Sequence, residues 1–211
     1  GHGAPEVWLG VGWQLGGLSS IERVTPGGGI PSFEDSRDIY RIDGMELLAC
    51  SDGEASNPWP AGSSTYPADY RTNAVSASCL AGGNLAPLIE DFRKIERLET
   101  LHNGEIVHYF TVTHRNGTRY RYDSVGVLAN VGLPSSHEHY DAAFERLFLL
   151  TEIRDAQAAA NMVAVDYDFA PLSQGLAHRP SSIDYSQYSV EFHYAEQPLP
   201  KLASPPARKD S

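Results

Sequence analysis

Three titratable side chains in the middle of the chain and a carboxylate pair near its end are the groups best suited to chemistry. His137, Glu138 and His139 are residue types that bind zinc. Side chains two apart on a helix point in different directions, however, and no third ligand lies at a recognisable spacing, which favours a solvated helix start. Asp166 and Asp168 are two residues apart on a predicted strand, so their side chains share one face of it. Such a pair either holds a divalent cation or forms a polar sheet face. Both patterns favour the structural interpretation over a metal-dependent hydrolase.

The sequence lacks the motifs of other enzyme classes. It contains no G-x-S-x-G nucleophile elbow and no P-loop. Gly10 and Gly12 begin a dinucleotide-like spacing, but Leu15 stands where the third glycine is needed. The sequence therefore predicts a non-enzymatic protein without a cofactor.

Composition favours a folded domain with many turns. The chain has 211 residues, 41% hydrophobic and 10% aromatic, which is ample for a core. It contains 19 glycines and 14 prolines, about one residue in six against an average of about one in eight. The net charge is -11, and no basic cluster is denser than Arg115, Arg119 and Arg121, which argues against a nucleic-acid partner. No apolar run reaches the roughly 18 residues of a membrane span and no charged-then-apolar leader is visible, so we expect no membrane insertion by this segment.

The two cysteines, Cys50 and Cys79, allow at most one internal disulfide. One bridge is too few for a scaffold stapled by disulfides. We therefore expect two buried thiols.

The chain is predicted to form one β-rich module over residues 4–197, followed by an extended tail over 198–211. Residues 51–70 are rich in proline, serine and glycine and are predicted to form a long surface loop. Within it, Trp59 is expected to pack onto the body of the domain, with a partner-binding role as the alternative.

The clearest local structure is a three-stranded meander over residues 98–122. Asn103-Gly104 and Asn116-Gly117 each mark a tight hairpin turn between runs of β-forming residues. One short helix is predicted near 136–147. Further strands are predicted over residues 148–153, 162–169, 181–185 and 188–194.

Several motifs resemble a known family when they are taken in order along the chain. Residues 12–23 read GWQLGGLSSIER and resemble the opening of the N-terminal module of Tc-toxin B components. That module is shared with plasmid virulence B proteins and grades into the Rhs/YD-repeat family. Residues 33–47 resemble the next strand and turn of the family, and residues 120–128 read like a single YD repeat. The residues that carry the resemblance are Gly12, Trp13, Leu15, Gly17, Leu18, Ile21, Arg37, Asp43, Gly44, Asn116, Gly117, Asp155, Tyr167, Ile183 and Tyr185.

The resemblance runs from about residue 11 to residue 194, with two departures. The turn over residues 155–161 differs from the family pattern, and the 51–70 segment has no counterpart in that pattern. The resemblance implies a mainly β fold of antiparallel meanders forming part of a curved Rhs/Tc-type shell.

The function that this resemblance implies is structural. The module would contribute strands to a hollow bacterial toxin shell that encloses a C-terminal toxic effector, and its partners would be the remainder of the shell and that effector. Such a toxin is secreted or delivered by a bacterial export system. The cleavage chemistry of the family lies in a segment without a counterpart here, so no catalytic residue is carried over.

The alternative is an autonomous β-rich module that binds carbohydrate or protein. Its stacking platforms would be Trp8, Trp13, Trp59 or the pair Tyr66 and Tyr70. A shell module predicts exposed strand edges and an uncovered apolar face, whereas an autonomous module buries its own edges.

Overall fold

Short runs of β-branched and aromatic residues, separated by glycine-rich turns, form an antiparallel sheet. The computed structural model describes residues 18–50, 66–71, 76–130, 136, 145–157, 161–172 and 175–194. Its strands are β1 (Ser20–Val24), β2 (Ile39–Ile42), β3 (Met45–Ala49), β4 (Leu85–Pro87), β5 (Lys94–His102), β6 (Glu105–Thr113), β7 (Arg119–Ser124), β8 (Leu147–Arg154), β9 (Met162–Leu172), β10 (Gly175–Tyr185) and β11 (Tyr188–Glu191). The predicted mainly β, antiparallel fold is confirmed.

The first eight strands close into a barrel. Each strand pairs with the next one along the chain, and β1 also pairs with β8, with Ile21 opposite Phe148. Each of these eight strands therefore has a neighbouring strand on both sides, and none of them is an edge strand of the sheet. The barrel is therefore a self-contained body from which the remaining strands extend.

Aromatic side chains from three strands fill the barrel. The ring of Phe110 lies 4.7 Å from that of Phe148 and 5.0 Å from that of Tyr40, with edge-on geometry in both pairs. Aliphatic side chains surround these rings and are almost fully buried. They are Ile21, Ile39, Ile42, Leu47, Leu85, Ile95, Val112 and Leu150.

The β4–β5 junction is the narrowest pairing in the barrel, because Leu85 and Ile95 form its one aligned residue pair. The buried side chain of Asn84 extends this junction. Its amide nitrogen donates to the carbonyl of Arg97 (2.7 Å), and its oxygen accepts from the Arg97 amide (2.8 Å). Asn84 thus supplies the hydrogen bonds that a longer strand would provide.

The expectation of two buried thiols is wrong, because Cys50 and Cys79 form a disulfide. Both residues are buried, as expected. Cys50 follows β3, Cys79 lies in the short helix α1 (Ala77–Leu80), and their Cα atoms are 5.7 Å apart. That separation is within the range that a disulfide requires. Two positions 29 residues apart are brought together by packing of α1 beside the barrel, which local sequence patterns do not reveal.

The predicted surface loop over residues 51–70 is wrong at its C-terminal end. Tyr66 is buried in the barrel core, and a 3-10 helix follows at Ala68–Tyr70. The hydroxyl of Tyr66 donates to the carbonyl of Leu47 (2.6 Å) and accepts from the amide of Tyr40 (3.0 Å). Residues 51–65, including Trp59, lie outside the described residues.

The predicted meander is confirmed as β5, β6 and β7. Asn103 and Gly104 connect the first two strands, and both have positive φ angles, as this turn requires. The predicted helix near 136–147 lies mostly outside the described residues, and its last position, Leu147, begins β8. The second α-helix, α2 (Val125–Leu128), follows β7 directly and was not predicted.

Candidate functional site

The site-like feature of this fold is a three-stranded extension that begins at β8. On one edge of β8, residues Leu147 to Leu149 pair with β1, while residues Glu152 to Arg154 pair with β9. The sheet therefore divides at β8, where one branch closes the barrel and the other continues through β9, β10 and β11.

The extension has an apolar face. In an antiparallel sheet, residues directly opposite one another project to the same side. Val163 pairs with Ile153, which packs against the barrel core, so this face continues the interior of the barrel outward. Two rows of side chains cross it, namely Val163, Tyr185 and Tyr188, and Val165, Ile183 and Val190.

The apolar face is covered at β9 and uncovered at β11. Val165 is 4% exposed, whereas Tyr185 is 45%, Val190 55% and Tyr188 67% exposed. Scattered single apolar residues are normal on a surface, but a contiguous group beside a sheet edge is typical of an interaction site.

The outer edge of β11 is open within the part of the chain that the structure describes, because its one pairing there is with β10. The amide of Phe192 donates to the carbonyl of Ser181 (2.9 Å). Inward and outward backbone groups alternate along an antiparallel strand. The N–H and C=O groups of Ser189 and Glu191 therefore point away from β10.

The opposite face of the extension is acidic. The hydroxyl of Ser182 lies 3.2 Å from a carboxylate oxygen of both Asp166 and Asp184, and it can donate to one of them at a time. Among the described residues, no cationic side chain lies within 4.0 Å of either carboxylate. The part of this face around Asp166 and Asp184 therefore holds negative charge that no described cation neutralises, whereas Asp168 on the same face is paired with Arg179.

The described residues supply no third ligand for the hypothetical metal site at Asp166 and Asp168. Asp168 lies 3.6 Å from the guanidinium of Arg179. Among the described residues there is no group of three or more histidine, cysteine, aspartate or glutamate side chains arranged to hold a metal ion. The other proposed ligands, residues 137–139, lie outside the described residues.

A second polar cluster lies inside the barrel and begins at Arg23. Its guanidinium donates to Asp38 (2.9 Å) and to Asp35 (2.9 Å), and its third nitrogen donates to Glu145. The Arg23 side chain is 1% exposed, so these three carboxylates replace the water that the guanidinium loses.

Glu145 connects this cluster to two further basic side chains, those of His108 and Arg97. Its Oε1 accepts from Nδ1 of His108 (2.6 Å) and from a guanidinium nitrogen of Arg97 (3.3 Å). Burial alone would raise the pKa of Glu145, but the hydrogen bond from His108 and the charges of Arg97 and Arg23 outweigh burial and lower the pKa to about 2. Glu145 precedes β8, so the cluster anchors the chain where that strand begins.

Sequence reasoning missed this cluster, although a signal was present. Arg23 and Arg97 each lie two residues after a buried isoleucine, on β1 and β5, and His108 lies two residues before the buried Phe110 on β6. A period of two therefore places all three basic side chains on inward faces. Polar residues at inward positions require buried partners of opposite charge.

The residues that carry the family resemblance are distributed over turns and sheet faces. Asp43 and Gly44 form the β2–β3 turn, where the Asp43 carboxylate accepts from the Ser19 hydroxyl (2.6 Å) and the Ser20 amide (3.1 Å). Gly117, with a φ of 85°, forms the β6–β7 turn beside Asn116.

The other described members of that set are equally dispersed. Asp155 stabilises the turn after β8 by accepting from the Gln157 amide (2.9 Å), and Tyr167 donates to the carbonyl of Leu150 (2.8 Å). Ile183 and Tyr185 lie on the apolar face. Leu18 and Ile21 pack in the barrel, Arg37 is exposed beside Glu34, and Gly12, Trp13, Leu15 and Gly17 lie outside the described residues.

The proposed Tyr66 and Tyr70 stacking platform is wrong, because Tyr66 is buried in the core and Tyr70 packs against it. Trp8, Trp13 and Trp59 lie outside the described residues. In the described part of the chain, no helix has the length and apolar character needed to cross a membrane.

Comparisons with known proteins give two similar structures. The N-terminal domain of effector protein SpvB from Salmonella typhimurium strain LT2 aligns with a TM-score of 0.55 and 18% identity, over 88% of this chain and 56% of that chain. A chain of the Photorhabdus luminescens Tc holotoxin pore aligns with a TM-score of 0.54 and 14% identity, over 87% of this chain and 8% of that chain. No family model matches this sequence, and no curated protein matches it.

These comparisons show a shared fold. The chain spans about half the length of the SpvB chain and a small part of the holotoxin chain. A fold similar to the one described above therefore occurs as one region within a longer effector-protein domain and within a longer chain of a holotoxin.

Proposed function

We propose that this chain is a non-enzymatic structural module of a Tc-related toxin assembly. The closed barrel acts as its rigid body, and the extension formed by β9, β10 and β11 joins it to further β-structure. The observation that carries this proposal is the open edge of β11 beside an apolar face that is buried at β9 and exposed at β11. An edge of this kind recruits another strand.

The similar folds support the toxin setting, because one is the N-terminal domain of an effector protein and the other belongs to a holotoxin pore. In that setting, the module contributes strands to a hollow shell around a C-terminal toxic polypeptide, and it is secreted or delivered with that toxin. The remainder of the shell and the enclosed polypeptide are its partners. The charged cluster at Glu145 fits a structural role, since both of its carboxylate oxygens are already engaged.

Hydrogen exchange of the isolated 211-residue chain tests the open edge. We expect the outward amides of Ser189 and Glu191 to exchange rapidly, while the inward amide of Val190 is protected. A hydrophobic dye should bind, and binding should fall when Tyr188 and Val190 are changed to threonine. Protected amides at both outward positions together with no dye binding would show that the chain covers its own edge.

Site-specific cross-linking tests the assembly. A photoreactive amino acid in place of Ser189 should link this chain to another segment of a toxin polypeptide in the producing cells, identified by mass spectrometry. The same group in place of Arg37, which is exposed on the barrel, is the matched control. Links from position 189 only to this chain's own barrel would contradict the proposal.

A further inference from the structure

We propose that the outer edge of β11 binds an extended polypeptide segment in which apolar residues alternate with basic residues. This inference rests on the proposed function, because it names the chemistry of the segment that joins the extension. Three properties of the edge determine that chemistry.

The backbone of β11 requires an extended partner. The outward N–H and C=O groups of Ser189 and Glu191 are spaced two residues apart, as in any strand edge. An added strand pairs with all four groups and continues the sheet by one strand.

The apolar side of the edge requires apolar partners. Tyr188 and Val190 project to that side and are 67% and 55% exposed. An incoming strand places every second side chain beside them. Aromatic and β-branched cross-strand pairs are favourable there, whereas a charged residue would leave the apolar side chains of this face exposed to solvent.

The other side of the edge requires cations. Glu191 lies on β11 itself, and its one described ionic contact is with the exposed His193 at 3.5 Å. Asp184 lies one strand further in, directly opposite the small side chain of Ser189. A lysine or arginine opposite Ser189 reaches over that serine to Asp184, where the nearby carboxylate of Asp166 adds to the negative potential.

A second copy of this chain is a poorer occupant. It would bring a surface with the same carboxylates at Asp184 and Glu191, and each copy has a net charge of -11. Like charges placed opposite one another in a sheet are destabilising.

Fluorescence anisotropy with labelled synthetic peptides tests the inference on the 211-residue chain. The probe is a capped peptide of four lysine–valine repeats. One control peptide has the same composition with all lysines before all valines, and another has glutamate in place of lysine. We expect binding of the alternating lysine peptide alone, weakening as salt is added.

Variants separate the charge requirement from the edge itself. The double variant Asp184→Asn, Glu191→Gln should bind the lysine peptide about two- to thirtyfold more weakly, as expected for the loss of two cross-strand charge pairs. Ser189→Pro should abolish binding by removing one outward N–H, and Ser189→Ala should retain it. Val190→Lys leaves the backbone intact and should also abolish binding, so the test does not depend on how Ser189→Pro folds.

The outcomes distinguish the two proposals. Three results would overturn the inference that the partner alternates apolar and basic residues: equal binding of the glutamate and lysine peptides, equal binding of the block and alternating peptides, or an unchanged affinity in the double variant. None of these results would contradict the proposed function, in which the edge of β11 recruits a strand. Unchanged binding in both Ser189→Pro and Val190→Lys shows that the peptide binds elsewhere and overturns the edge as well. A shift of the free chain to a dimer that Ser189→Pro abolishes would identify a second copy as the occupant and overturn the inference.

Discussion

Replacing Glu145 with glutamine should destabilise the barrel in a pH-dependent way. The substitution preserves the shape of the side chain and removes its charge. Arg23 and Arg97 would then remain buried, with 1% and 5% of their side chains exposed, next to a neutral amide. Removing one partner from a buried charge cluster costs about 3–5 kcal/mol.

The pKa of Glu145 gives a second measure of this effect. The pKa falls from 4.5 to about 2 on folding, and each pH unit corresponds to about 1.4 kcal/mol, so the ionised carboxylate stabilises the fold by about 3 kcal/mol. Because the folded pKa lies below the unfolded one, this contribution is fully present above pH 4.5. It is lost as the pH falls from about 4.5 to about 2.

Urea unfolding followed by circular dichroism measures both effects. We expect Glu145→Gln to lower the free energy of unfolding by about 3 kcal/mol at pH 7, and the difference from the natural chain to shrink towards pH 2. Glu99→Gln is the matched control, because Glu99 also faces His108 but lies 3.6 Å away with its side chain 46% exposed. A loss that is equal at pH 7 and pH 2, or one no larger than that of the control, would refute the reasoning.

Two further predictions concern the segment between the cysteines. Changing both Cys50 and Cys79 to serine should lower the free energy of unfolding by about 3–4 kcal/mol, because the disulfide closes a loop of 29 residues. In denaturant melts, reductant should lower the free energy of unfolding of the natural chain by the same amount and should leave the serine variant unchanged. A natural chain whose free energy of unfolding is the same with and without reductant would contradict this prediction. Tyr66→Phe should cost about 1–3 kcal/mol in the same melts, since it leaves the Leu47 carbonyl and the Tyr40 amide without their buried partner. Tyr70→Phe, at a partly buried position beside the core, is its control and should be close to neutral.

Sequence patterns predicted the local elements of this fold but not its closure. The Asn103-Gly104 turn was predictable because the residues that permit positive φ angles stand between two β-forming runs. The pairing of β1 with β8 was not, because a period of two indicates which side chains share a face and not which distant strand lies alongside. The Cys50–Cys79 disulfide and the burial of Tyr66 were missed for the same reason, since both depend on contacts between segments far apart in sequence.

The candidate site was predictable in kind and not in position. Over residues 188–194, Tyr188, Val190, Phe192 and Tyr194 stand at every second position, which predicts one apolar face for the last strand. The structure places Tyr188 and Val190 on that face. Which edge of that strand is open depends on the position of β11 at the end of the sheet, which is a property of the whole topology. Asp166 and Asp168 were predicted to form a polar sheet face rather than a cation site, but the arginine that faces Asp168 comes from the neighbouring strand and was not predicted.

The division of the sheet at β8 has a mechanical consequence. The extension is paired to the barrel over three residue pairs, from Glu152 opposite Ala164 to Arg154 opposite Met162, and the Tyr167 hydroxyl bond to Leu150 reinforces them. Every strand of the barrel, by contrast, is paired on both sides, so no strand can be pulled out of the ring without separating two strand pairs. A pulling force applied to β11 therefore separates β9 from β8 first and leaves the barrel intact. Under load, this junction is the point at which the extension detaches from the barrel.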